Sequence, residues 1–535
     1  MGRPNRAPAP ARSESDDEFL AKAAGLHLEG KLDEALAQLK HALTGSAHPA
    51  RIHGATGYIL YELGRFDEAA GAYEKLVALE PQRPAACFNL ALCLEALGRW
   101  QAAVDLFENV GRLDPTCLEA HLGLAGCRLH LGAHELALET YEHCLQSQPN
   151  LEGALFGKAV ALQMSKRNDE AAQLYEDILL RNPASEDALA NLIVVYDETG
   201  NHDRLKDCSS RLLELQPRSE CALQGLARAS FQAGEYKNAQ TYCADLVKNF
   251  PQSFENWFNL GIAHQNTDDH QEAANAYSEA IRIKPNDAQA HINLGAARQE
   301  LNDPPGARHS YELALKADPH STGAMWNLAL MLEAEGELAD AEKLYVRILE
   351  RDPDFEDARF RVGHLRLQRG EFKEGGQDFE ACLSQRSQWP EAQINAGIAH
   401  WKLGSLDRAQ ELFNGVLAAE PQSVHALRAL AGMAIGQDRT SEALSLHTRL
   451  LELGERTPEI LYNAALLLQG SGRDADAIAL YREALAQQPL FAEALVNLGI
   501  ALKQTGEEEE ARSSWRKALK SKPELAHTYF ETDLS

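Results

Sequence analysis

The chain is 535 residues long, with 44% hydrophobic and 24% charged residues, a balance that supports a folded chain and argues against a mainly disordered one. Its 79 acidic against 52 basic side chains leave a net charge of −27, which disfavours nucleic acid and anionic lipid surfaces and favours neutral or basic protein partners. No apolar run approaches the roughly 18 residues that a membrane-spanning helix needs.

Residues 1–15 are polar, rich in proline and carry Arg3, Arg6 and Arg12 against Glu14, so they are predicted to form a disordered leader. They lack the apolar core of a secretory signal, and Arg6 stands where a myristoylation motif wants Ser or Thr. Nine cysteines are scattered from Cys87 to Cys382 with no CxxC pair, which predicts reduced thiols and a cytoplasmic location.

From residue 16 the chain is periodic. Pro81, Pro115, Pro149, Pro183, Pro217, Pro251, Pro285, Pro319 and Pro353 follow one another at 34 residues, and the register returns at Pro421, Pro489 and Pro523. Random placement of 21 prolines along 535 positions would fill fewer than one of the fifteen slots. With proline at repeat position 32, fifteen repeats run from 16 to 525. Position 20 is Ala except at Leu205 and Gly375, and position 8 is Gly or Ala except at Ile193. Position 24 is usually aromatic, as in Tyr73, Phe107, Tyr277, Tyr311 and Trp515, and Gly is frequent at position 15, as in Gly64, Gly98 and Gly404.

Apolar positions 4, 7, 8 and 11, then 20, 24, 27 and 28, each share one helical face. Glycine at 15 suits a helix C-cap, and proline at 32 ends the second helix. Small residues at 8 and 20 let two antiparallel helices approach, with the aromatic filling the space beside them. A lone hairpin of this kind cannot bury its apolar face, whereas stacked hairpins share a continuous core.

Segment 257–285, WFNLGIAHQNTDDHQEAANAYSEAIRIKP, resembles the tetratricopeptide repeat (TPR) family in its W-x2-L-G…A-x3-Y…P order, and segment 495–523, LVNLGIALKQTGEEEEARSSWRKALKSKP, is nearly as close. The resemblance spans 510 of the 535 residues. It implies an all-α, right-handed superhelical α-solenoid of about fifteen 34-residue helix-turn-helix repeats, with the first helix of each repeat lining a concave groove. Residues 526–535, AHTYFETDLS, are expected to cap the last repeat through Tyr529 and Phe530, or to serve as a self-association tail.

Chemistry is sparse. The G-x-G-x-x-A at 470–475 falls in an inter-helix turn rather than after a strand, so no dinucleotide cofactor is expected. His130 and His134 are separated by the predicted turn at Gly132, so no metal site is expected. Cysteines occupy small apolar slots and read as packing residues. No catalytic residues are assigned and the chain is not expected to be an enzyme. Acidity and the strict period of 34 also argue against RNA-binding hairpin repeats.

Position 6 is Asn in eight repeats: Asn89, Asn191, Asn259, Asn293, Asn327, Asn395, Asn463 and Asn497. Asparagine is a mediocre helix former, while its amide offers donors and an acceptor that match an extended peptide backbone. The row is similar to the asparagine ladder in the TPR arm of O-GlcNAc transferases, and these eight residues are the candidate peptide-binding set. Position 5 (Phe88, Phe156, Phe258, Ile292, Trp326, Phe360, Tyr462) is expected to add apolar surface to the same groove, and Arg361 is expected to pair with Asp357 on its own helix. Lys at position 5 and Asn at position 9 of a chaperone-tail clamp are missing from repeats 2–15. Gly375 and Gly376, inside a second helix, suggest a flexible point. The functional expectation is a protein-protein interaction scaffold holding an extended peptide. A separately encoded substrate-recruiting arm of a glycosyltransferase-type complex and a self-assembling solenoid are the alternatives.

Overall fold

The computed structural model describes residues 16–44, 46 and 48–525. The leader 1–15 and the tail 526–535 therefore lie outside the described residues. Among the described residues there are thirty α-helices, α1 (Asp16–Leu28) to α30 (Glu508–Ser521), one 3-10 turn at Pro523–Leu525, and no strands. The fold is an all-α helical repeat solenoid: odd-numbered helices are the first, and even-numbered helices the second, of successive hairpins. The chain divides into two compact units, Met1–Ile283 and Lys284–Ser535. Within each, every helix packs on its chain neighbours, and several first helices also touch the first helix of the following hairpin.

Each hairpin turns at position 15. All fifteen residues there have positive φ, eleven of them Gly and the others Lys166, Asp268, Asn302 and Asp438, with φ between 55° and 59°. At Gly98 (φ 70°) the next amide, Arg99 N–H, reaches back to the Leu94 carbonyl at 2.8 Å, which satisfies the end of α5 (Pro84–Ala96). The turn hands the chain to α6 (Trp100–Leu113).

Wherever position 20 is Ala it is buried, and the aromatic rings at position 24 are packed against small residues of the first helices. A Cβ added at Gly57 would lie 2.7 Å from the Tyr73 ring, at Gly261 2.5 Å from Tyr277, and at Gly397 2.7 Å from Phe413. Glycine at position 8 is thus the space in which the ring sits. The ring also meets position 6 of the following hairpin: a Cβ at Gly123 would lie 2.5 Å from Phe107, and one at Gly157 would collide with Tyr141. Tyrosine hydroxyls at 24 donate to position 12 of their own hairpin, Tyr277 to Gln265 at 2.8 Å, Tyr345 to Glu333 at 2.8 Å and Tyr481 to Gln469 at 2.9 Å.

The paired glycines 375 and 376 have a packing cause. A Cβ at Gly375 would stand 3.0 Å from the Gly363 carbonyl oxygen, so the two helices of this hairpin meet backbone to backbone. Both glycines are buried within an uninterrupted helix, Phe372–Gln385. Close approach accounts for the glycine at 375 without invoking a hinge.

Candidate peptide-binding face

Helical periodicity places positions 2, 6, 9 and 13 along one side of each first helix, away from the second helix of the same hairpin. In the first unit, Asn89 on α5 is half-buried and faces the Tyr73 hydroxyl of the preceding hairpin. The Asn191 amide donates back to the Asp187 carbonyl at 3.0 Å, one turn earlier on its own helix. Asn259 is exposed and its side chain has no hydrogen-bond partner among the described residues. These three do not form an unbroken row, because Gly123, Gly157 and Gly225 occupy position 6 in other hairpins of this unit.

The second unit is richer. Asn293 accepts from Gln289 Nε2 at 2.9 Å, and Asn497 donates to the Tyr462 hydroxyl of the preceding hairpin at 3.0 Å. Asn327, Asn395 and Asn463 are half-buried, and their amides have no hydrogen-bond partner among the described residues. Asn293 and Asn327 fall in successive hairpins, as do Asn463 and Asn497; Arg361 and Ala429 interrupt the series. The eight asparagines therefore separate into four whose amides are engaged or face a tyrosine and four whose hydrogen-bonding capacity is unspent (Asn259, Asn327, Asn395, Asn463).

One turn beyond position 6, position 9 adds apolar surface. Val194 is 42% and Leu466 43% exposed, three residues after Asn191 and Asn463. Asparagine amides and exposed aliphatic groups thus stand side by side on one helix face. A cleft of 270 Å³ in the first unit brings Asn89 together with Arg51, Tyr58, Tyr73 and Arg83. Its arginines already have acidic partners, Asp17 at 2.6 Å and Glu80 at 2.9 Å. Residues 51, 58 and 83 belong to no repeating pattern of the sequence, which is why pattern reading passes over them.

Two expectations need correction. The position-5 aromatics are the rim of the core rather than free groove surface. Each lies against the position-24 ring of its own hairpin, with centroids 5.9 Å apart for Phe88–Phe107, 5.7 Å for Phe156–Tyr175 and 5.5 Å for Trp326–Tyr345. Some are closed from the other side too, Phe360 by Trp389 at 4.7 Å and Tyr462 by Phe491 at 4.9 Å. Arg361 reaches Glu333 at 3.2 Å on the preceding first helix instead of Asp357, because Glu333 is the better desolvated carboxylate and is already held by Tyr345.

Position 12 recurs in these contacts. It borders position 9 of the next hairpin: Asp197 is ion-paired with Arg228, and Trp401 lies 2.8 Å from where a Cβ on Gly432 would be.

No group of three or more potential metal-binding side chains occurs among the described residues. His130 stacks on Trp100 at 4.0 Å. Seven of the nine cysteines are buried, and burial raises the Cys93 thiol to about 11 and those of Cys127, Cys243 and Cys382 to about 12, far from a reactive thiolate. No helix among the described residues is long and apolar enough to cross a membrane.

Models of the tetratricopeptide repeat match residues 29–84, 55–116, 88–151, 292–356 and 462–526, with further repeat models at 267–302 and 366–431. A model described as the Psidin N-terminal TPR repeats region matches 127–277. No curated protein sequence matches significantly. Among solved structures, the APC/C hetero-tetramer Cut9-Hcn1 is similar at 15% identity over 92% of this chain and 97% of the other, with a TM-score of 0.33. A crystal structure of MamA is similar at 18% identity over 30% of this chain and 95% of the other, with a TM-score of 0.29.

Proposed function

The chain belongs to the tetratricopeptide repeat family, and from that premise we propose that it is a non-catalytic scaffold whose first-helix face holds an extended polypeptide segment of another protein. The observation that carries this reading is the set of amides at Asn259, Asn327, Asn395 and Asn463 that have no hydrogen-bond partner among the described residues, with Leu466 exposed at position 9 beside Asn463. An extended strand presents one donor and one acceptor per residue, and an Asn amide answers both without reading side chains. Aliphatic neighbours such as Leu466 supply the apolar contact that main-chain bonds lack. The chain's net charge of −27 selects against acidic partners and polyphosphate. Nine unpaired thiols fit a reducing compartment such as the cytoplasm.

The test uses the full chain and a fluorescent library of random dodecapeptides. Replacing Asn259, Asn327, Asn395 and Asn463 together by Ala is expected to lower total peptide capture at least tenfold, at about 1 kcal/mol or less per lost hydrogen bond. Asn497→Ala, whose amide is engaged by Tyr462, is the control and should leave capture nearly unchanged. Equal capture by wild type and the fourfold variant, with unaltered helicity, would remove the amides from the account.

A further inference from the structure

We propose that the first-helix face around Glu95 is a subsite for an arginine side chain of the bound polypeptide, an assignment that rests on the groove reading above and gives it a side-chain preference. Glu95 lies at position 12 near the end of α5. Acids occupy position 12 in three hairpins, and two of them are neutralised from within. Asp197 is paired with Arg228, which comes from position 9 of the next hairpin. Glu333 is paired with Arg361, from position 6 of the next hairpin, at 3.2 Å. For Glu95 the same two positions, on α7 (Leu118–His130), are Gly123 and Gly126. Among the described residues no guanidinium or ammonium group pairs with Glu95, and its carboxylate makes no hydrogen bond.

The carboxylate is nonetheless drawn away from water. It is half-buried, and burial raises its pKa above the ordinary glutamate range, with only a partial offset from His130. Its charge is felt by the buried Cys127 thiol and by Tyr61 on the preceding hairpin. A desolvated, unpaired charge is costly, and a cation supplied from outside removes that cost. Space is available where Arg228 stands in its own hairpin, at position 9, whereas the Phe107 ring fills the place at position 6 beside Gly123. A Cβ at Gly126 would have one neighbour within 4 Å, the Glu95 carboxylate itself at 3.8 Å.

The surroundings favour a planar cation. His130 is exposed and lies flat on Trp100, with centroids 4.0 Å apart and planes 9° from parallel. This stacked pair stands close enough for His130 to act on the Glu95 charge. A guanidinium pairs bidentately with a carboxylate and stacks on a flat ring at once, which an ammonium does less well.

The random dodecapeptide library separates this subsite from the amide row, because it reports both how much peptide is captured and which residues are enriched. The wild-type chain should enrich arginine at one peptide position, with lysine weaker. Glu95→Gln should abolish that enrichment and weaken the best arginine peptide about tenfold, while total capture stays near wild type. Gly126→Arg, which installs the internal partner that Arg228 provides elsewhere, should do the same. In the free chain both variants should melt at or above the wild-type temperature, since each relieves an unpaired carboxylate, whereas a structural role for Glu95 would lower it. Persistent arginine enrichment in Glu95→Gln, or capture by the wild type without basic enrichment, overturns the subsite alone. Failure of the wild type to capture any peptide overturns the groove reading and the subsite with it.

Discussion

Two glycines of the same hairpin should respond in opposite directions to one added methyl group. Gly57 lies at position 8 on the first helix of the second hairpin and Gly71 on its second helix, both in helical conformation. At Gly71 a Cβ meets nothing within 4 Å. Gly71→Ala should therefore gain the ordinary helix preference for alanine, about 0.8–1 kcal/mol. At Gly57 the same atom would lie 2.7, 2.8 and 2.9 Å from three atoms of the Tyr73 ring. Carbon atoms rest about 3.5–4 Å apart, so the ring must retreat by roughly 1 Å. Tyr73 is 3% exposed, and its hydroxyl end faces Asn89 of the next hairpin, so it has little room to give. Overpacking of this sort costs about 1–3 kcal/mol, which outweighs the propensity gain and leaves Gly57→Ala destabilised by about 1 kcal/mol. The two variants should then differ by about 2 kcal/mol, roughly thirtyfold in local opening equilibrium. Because repeat arrays open piecewise, hydrogen exchange across residues 49–79 reads the effect in this hairpin directly. Protection in Gly57→Ala equal to or above that of Gly71→Ala would refute the ring-on-glycine account.

Other consequences are open to measurement. A thiol reagent applied to the native chain should titrate at most the two partly exposed cysteines, Cys117 and Cys221, and all nine after denaturation; rapid labelling of more than two would contradict the buried assignment of the rest. His447 fills the aromatic slot of its hairpin, is 3% exposed, and burial lowers its pKa below 6.5. The unfolded chain therefore takes up this proton before the folded one does, so the contribution of the buried imidazole is present above about pH 6.5 and is lost as pH falls toward its folded pKa. His447→Phe should therefore gain in melting temperature relative to wild type as pH drops from 7.5 to 5.5, and a pH-independent difference would dismiss the buried histidine as a source of acid sensitivity. Gly404 has φ of 80° and an added Cβ would meet nothing within 4 Å, so Gly404→Ala should cost about 1–2 kcal/mol through backbone strain alone, read as faster exchange in residues 390–419.

Much of the architecture is legible in the 34-residue register, because small and aromatic residues at fixed offsets report on helix contacts that repeat with the chain. Helix existence, the hairpin turns and the buried alanines follow from that alone. The register even locates left-handed residues where glycine is absent: Lys166, Asp268, Asn302 and Asp438 occupy the slot that glycine fills elsewhere. What periodicity does not resolve is direction around the helix. Positions 5 and 12 lie seven residues apart, on a stripe that faces both the open side and the neighbouring hairpin. Phe360 and Gln265 are claimed by rings and hydroxyls of the interior, as contact geometry alone reveals. Arg361 illustrates the same limit, since its sequence neighbour Asp357 loses to Glu333, a residue 28 positions away. The asparagines were visible as a row, but whether each amide was spent depended on partners such as Tyr462 and Asp187. Glu95 stood in the sequence as an acid like Asp197; its isolation emerges only once position 12 is known to border positions 6 and 9 of the next hairpin, where glycines stand.

The position-24 rings carry an implication for anyone recombining such an array. Phe107 and Tyr141 press on a glycine of the hairpin that follows, while Tyr73 and Tyr277 press on one in their own. A single hairpin lifted out and inserted elsewhere would meet a misfit at its seam with either neighbour: an asparagine placed after Phe107, for example, would have to occupy the volume of the ring. The residues presented for recognition are therefore chosen partly by the joinery beneath them. Retargeting this protein means transplanting side chains in interlocked pairs, not modules cut at the prolines.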